Sequence, residues 1–282
     1  MSAHPGSYPS RIVCLTEETT ETLYLLGEEA RIVGISGFTV RPARARKEKP
    51  RVSAFTSAKL DAIRRLEPDL VLGFSDLQAD IASALIRSGI EVHVFNHRSI
   101  AGIFHMIVTL GGMIGCAQKA ENLCAELHEH VEAVRAAGAA LTVRPNVYFE
   151  EWDDPMISGI QWVSELIELA GGRDCFADRR GAALAKDRII ADANEVVRRV
   201  PDIIIGSWCG KKFRPEKVAA RPGWSSIPAV RDGELHEIKS ALILQPGPAA
   251  LTDGLDALHA IVKTWGSKRA ESRQALGSAS VK

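Results

Sequence analysis

Aromatic residues make up only 6% of the 282 residues, so any grouping of them outside a core is informative. No apolar run approaches the roughly 20 residues of a membrane helix, which excludes a chain embedded in that way. A surplus of one charge is missing too. The 35 Lys and Arg are matched by 35 Asp and Glu, so no global field draws nucleic acid or an acidic membrane. The expected partner is a small molecule, and a monomer is expected. The five cysteines are odd in number and lack CxxC spacing. They read as reduced thiols rather than a disulfide or zinc framework. Met1 to Ser10 contains no positive segment followed by an apolar one. The chain therefore shows no signal peptide and reads as cytoplasmic as it stands.

What is present is an internal duplication. Residues 57–74 read SAKLDAIRRLEPDLVLGF and residues 192–208 read DANEVVRRVPDIIIGSW. Each has helical periodicity, then Arg-Arg, a Pro-Asp pair and a short apolar run. Proline disfavours helix in the residue before it, so each helix should stop there. The runs Leu70–Leu72 and Ile203–Ile205 suit strands buried on both faces of a parallel sheet. The openings of the halves match as well. A strand at 11–15 precedes a polar loop, a helix through Thr22–Leu26 and Gly27. A strand at 146–149 precedes a polar loop, a helix through Val163–Leu169 and Gly171-Gly172.

Strands alternating with helices predict an α/β fold of two Rossmann-like lobes with parallel sheets. The expected lobes are 10–113 and 144–265, with a long rigid α-helix bridging them over 114–143. The small, polar and charged residues 266–282 read as a disordered tail.

In open α/β sheets ligands bind beyond the carboxyl ends of the strands. If those ends face one another across an interlobe cleft, Glu17, Glu18, Phe38, Phe55 and Phe74 line it from the first lobe. Glu151, Trp152, Trp208, Lys211, Lys212 and Gln245 line it from the second. A core role explains any one aromatic. Five at matching post-strand positions favour a flat apolar wall. Lys211 and Lys212 suit a carboxylate or phosphate on the ligand, or simply form a solvated basic loop. Glu150, Glu151, Asp153 and Asp154 form an acidic cluster around Trp152, suited to a cation or amide groups, or merely a charged loop.

His93 and His97 lie about 13 Å apart along a strand, and His128 and His130 fall on different faces of a helix, so no resident metal is expected. No GxGxxG follows the first strand, and no GxxxxGK[ST] or GxSxG elbow occurs. These absences argue against a nucleotide-dependent oxidoreductase and against catalysis generally, so no catalytic residue is assigned.

The order RIVCLTEETTETLYLLGEEARIVGIS, RVSAF, LDAIRRLEPDLVLGF, a bridging helix, VYFEEWDDPMISGIQWVSELIELAGG and VPDIIIGSW resembles the helical-backbone periplasmic binding proteins over about residues 10–262. Among these it looks like the members that hold cobalamin for an ABC importer. The resemblance implies two lobes joined by one rigid helix, with the ligand between them. Phe38, Phe55 and Phe74 fall where cobalamin binders carry cleft aromatics. It also implies docking on a permease through one acid per lobe. Asp61 stands near the first such position, whereas Ser240–Pro248 supplies no acid for the second.

The expected ligand is cobalamin or another corrinoid, then a ferric siderophore or haem-like chelate, with no intrinsic cofactor. The alternative is a cytoplasmic enzyme or chaperone handling the same ligand on this fold. The family default is periplasmic.

Overall fold

The computed structural model describes residues 8–279. It divides into two compact units. The first extends to His128 and takes in Gln245–Ala249; the second comprises Glu129–Leu244 and the chain from Ala250 onward. The helix Ala117–Ala139 is unbroken and carries the chain from the first unit into the second.

In the first unit, β1 (Ile12–Cys14), β2 (Ile32–Ser36), β3 (Arg51–Ser53), β4 (Leu70–Phe74) and β5 (Val92–Phe95) form one sheet in the order β3-β2-β1-β4-β5. Every neighbouring pair is parallel. β1 and β4 are buried throughout, as continuous apolar runs at the centre of a parallel sheet should be. The strand order reverses between β1 and β4, so their carboxyl ends mark the switch point where such sheets bind ligands.

The second unit holds β6 (Asn146–Asp153), β7 (Met156–Ser158), β8 (Arg173–Asp174), β9 (Ile203–Gly206) and β10 (Leu235–Glu237). β9 and β8 lie parallel to β6, and β10 parallel to β9. One edge departs from the expected parallel pattern. β6 runs on to Asp153, turns at Asp154-Pro155 and pairs antiparallel with β7. Glu150 to Asp153 are therefore strand residues of a hairpin, not a loop.

The duplicated segments adopt the same local geometry. The helix Leu60–Arg65 is followed by Glu67 at φ 45°, and the helix Asn194–Arg199 by Val200 at φ 48°. A left-handed residue is the usual way to end a helix, and here proline follows it directly. Asp69 then accepts the backbone N–H of Ser10 and Arg11 at 2.8 and 2.9 Å. Asp202 accepts that of Asn146 at 2.9 Å. Each Pro-Asp pair thus ties the start of its own unit's central strand.

Three expectations are corrected. The first helix is Glu17–Leu25 and begins as soon as β1 ends. Glu17 and Glu18 form its first turn, where acidic side chains complement the helix dipole. Gln245 belongs with the first unit, because Pro246 and Ala249 bond to it. Residues 266–279 continue the helix Leu255–Ala279 rather than forming a disordered tail. That helix is held to the second unit by Lys268 on Glu234 at 2.8 Å and by Arg269 on Asp232. Residues 280–282 and 1–7, part of the tail and signal-peptide readings, lie outside the described residues.

Candidate functional site: the strand-end loops

At the first unit's switch point, the buried Gln78 joins three strand ends. Its side-chain oxygen accepts the Phe74 N–H at 3.0 Å. Its amide nitrogen donates to the Phe55 carbonyl at 2.9 Å and the Leu15 carbonyl at 3.3 Å. This fixes the loops after β1, β3 and β4 relative to one another. Phe38 stands 52% exposed in the turn after β2, and Phe55 is half-buried. Phe74 is only 6% exposed. Its ring meets the His97 ring edge-on with centroids 5.3 Å apart, and the Arg98 guanidinium lies 5.0 Å over it. His97 Nε2 bonds the Pro246 carbonyl at 2.8 Å. Burial pulls its pKa down to about 4, so the ring is a neutral donor at pH 7.

Glu17 and Glu18 are interior groups, not open loop acids. Glu17 accepts the backbone N–H of Val40 and Arg41 at 2.9 and 2.8 Å. Thr16 donates to one oxygen of Glu18, whose other oxygen is buried without a partner. Gly247 lies so close that a Cβ there would stand 2.6 Å from Glu18 Cβ. Burial pushes both carboxyls up to about 7. Taking a carboxylate out of water favours its protonated form. Nearby Glu21 is neutralised by Arg41 at 2.7 Å. Asp61, in the first turn of its helix, is 83% exposed at the side chain and meets Arg64 only at 3.5 Å.

In the second unit the switch point lies between β6 and β9 and is occupied by Glu150. Its carboxylate is fully buried. It accepts two bonds from Arg221 at 2.5 and 2.9 Å, the Tyr148 hydroxyl at 2.9 Å and the Trp208 indole N–H at 3.1 Å. Four donors explain how a carboxylate can be held there. Trp208 is accordingly a core residue, 4% exposed, with its ring 5.0 Å from Phe213. That corrects the open-wall expectation for this residue, since a buried indole goes where its N–H finds an acceptor.

The acidic cluster around Trp152 is largely spoken for. Arg188 binds Glu151 at 2.6 and 3.2 Å, and Lys211 pairs with Asp153. Lys211 Nζ also lies 4.3 Å over the Trp152 ring and 5.2 Å from the Trp208 ring. The structure thus brings Trp152, Trp208 and Lys211 into one group, and Lys212 stands exposed beside it. Among the described residues, no set of three His, Cys, Asp or Glu side chains could hold a metal ion. No helix among them is long and apolar enough to cross a membrane.

Gln78, Arg188 and Arg221 were not singled out by the sequence, and His97 was weighed there only as a metal ligand. Gln78 carried a faint signal, a polar residue just after a strand. Arg188 and Arg221 stand 37 and 71 residues from the acids they bind and carried none.

An ABC transporter substrate-binding lipoprotein of Bacillus subtilis, YvrC, itself uncharacterized, is 24% identical over 89% of this chain and 79% of its own length. The vitamin B12-binding protein of Vibrio vulnificus is 23% identical over 86% of each chain. Among solved structures, the periplasmic heme-binding protein RhuT of Roseiflexus sp. RS-1 superposes with a TM-score of 0.75. It covers 90% of this chain and 99% of its own at 21% identity. These are transport binding proteins rather than enzymes. The periplasmic binding protein family model matches residues 12–242, and the chain belongs to that family.

Proposed function

We propose that this solute-binding protein captures a metal chelate at its strand-end loops and presents it to an ABC permease. Cobalamin or another corrinoid is the first choice; haem-like chelates and ferric siderophores come next. One observation carries the reading. In a chain with so few aromatic residues, Phe38 and Phe55 stand at adjacent strand ends of the first unit, and Trp152 under Lys211 at a strand end of the second. Rigid aromatic faces beside a few polar groups suit a large flat ligand. The vitamin B12-binding relative, aligned over most of both chains, favours a corrinoid among such ligands.

The lipoprotein relative favours work outside the cytoplasm, the family default. Exposed Asp61 is the residue we propose for permease docking. The test is native mass spectrometry and a visible absorption spectrum of the protein purified from its own host. A bound, coloured corrinoid, haem or ferric chelate is expected. Recovery with a colourless metabolite such as a sugar or amino acid would overturn the ligand class and leave the family assignment standing.

A further inference from the structure

Beside the edge strand β3, the first unit contains a cavity of about 640 Å³, within the range of roughly 300–1,000 Å³ of small-molecule sites. Four cationic side chains line it, Arg46, Lys49, Arg51 and Lys59, and no acid does. None of the four makes an ion pair among the described residues, although the chain as a whole is neutral. The neighbouring acid Glu48 is turned to other partners. It accepts the Tyr24 hydroxyl at 2.7 Å and meets Arg44 at 3.6 Å. Ser53, also on the wall, is buried, and its hydroxyl has no partner. A buried hydroxyl without a partner is costly. Four like charges around one cavity repel one another, and Glu29, the acid on which Lys49 acts, lies outside its lining. An anion in the cavity relieves that repulsion.

We propose that this cavity is an oxyanion site, taking a carboxylate or phosphate group. Arginine forks match such groups bidentately, and the lysines add charge. Gly37 forms part of the rim; a side chain there would begin 3.1 Å from the Ser53 carbonyl. The site is distinct from the aromatic positions of the proposed chelate contact, yet it adjoins them in sequence, since Phe38 follows Gly37 and Phe55 follows Ala54. The oxyanion comes from one of two sources, a free anion or the acidic substituents of the transported ligand.

The test titrates phosphate and citrate into the full chain by calorimetry, at low and high salt. The parent is compared with Arg46→Gln/Arg51→Gln/Lys59→Gln and with the control Arg87→Gln. A second arm compares haem with its dimethyl ester, whose carboxylates are capped. Citrate binding to the parent, weakened at least about tenfold by the triple substitution and by added salt, supports the site. A preference for haem over its ester that disappears in the triple variant identifies the ligand's own carboxylates as the source. Equal binding of haem and ester, with citrate still bound, identifies a free anion. If neither phosphate nor citrate binds the parent at roughly millimolar affinity, or the triple variant binds as well as the parent, the proposal is overturned. Failure of haem to bind counts against the chelate reading alone, because the phosphate and citrate arm does not use it.

Discussion

Asp202 accepts the backbone N–H of Asn146 at 2.9 Å, fixing the first residue of β6 to the turn that opens β9. Asp69 does the same for Arg11 at 2.9 Å in the first unit. Each side chain closes a connection more than 50 residues long, so local structure alone cannot replace it. Asp202→Ala and Asp69→Ala should each destabilise their own unit by roughly 1.5–3 kcal/mol, the usual cost of losing a charge-assisted bond. Urea unfolding of both variants checks this. Parental midpoints would contradict it.

Val200 occupies the left-handed region at φ 48° and is half exposed. A β-branched residue pays for that conformation, whereas asparagine tolerates it. Val200→Asn should raise stability by about 0.5–1 kcal/mol, seen as an upward shift in the unfolding midpoint. A loss of stability would show that the Val200 side chain contributes packing that outweighs its backbone strain.

The buried acids of the first helix make stability depend on pH. Burial raises Glu17 and Glu18 from about 4.5 to about 7, against the bonds from Val40, Arg41 and Thr16 that favour the charged forms. Between these values the folded state holds protons that the unfolded chain has already released. Stability from this source is therefore full below about pH 4.5, falls as pH rises, and is gone above about 7. Each group contributes up to roughly 3 kcal/mol. Glu18→Gln does not titrate, so the parent should lose more stability than the variant between about pH 4.5 and 7. Parallel pH profiles from thermal unfolding would contradict this.

Much of the fold was legible because it is written locally. Twin Pro-Asp pairs, apolar runs and helix-stopping glycines report on neighbours in the chain, and the structure repeats them in both units. The site was legible less well. Trp208 follows a strand, as a wall residue would, yet an acid 58 residues away draws its N–H inward. Glu151 and Lys211 looked available until Arg188 and Asp153 claimed them. The 245–249 segment returns to the first unit through backbone groups of Pro246 and Ala249, which no side-chain pattern announces. Periodicity reveals which residues are interior, whereas long-range hydrogen-bond partners appear only once the chain is folded.

The two Lys211-linked rings give a prediction of their own. Lys211→Met keeps much of the length but loses the charge that rests over Trp152 at 4.3 Å and pairs with Asp153. An exposed cation–π contact and an ion pair together account for about 1 kcal/mol, so unfolding should shift only slightly. Binding of a chelate that carries acidic groups should weaken more than binding of a neutral one. Equal losses for both would assign Lys211 to scaffold alone.

The central claim is that a chelate binds against the exposed strand-end aromatics, and calorimetric titration of cobalamin, cobinamide and haem tests it most directly. The parent should bind at least one of the three. Phe38→Ala/Phe55→Ala should weaken that binding by roughly 1–3 kcal/mol while costing less stability than the roughly 3–5 kcal/mol of a core phenylalanine truncation. No binding of any of the three by the parent, or unchanged affinity in the double variant, would contradict the account.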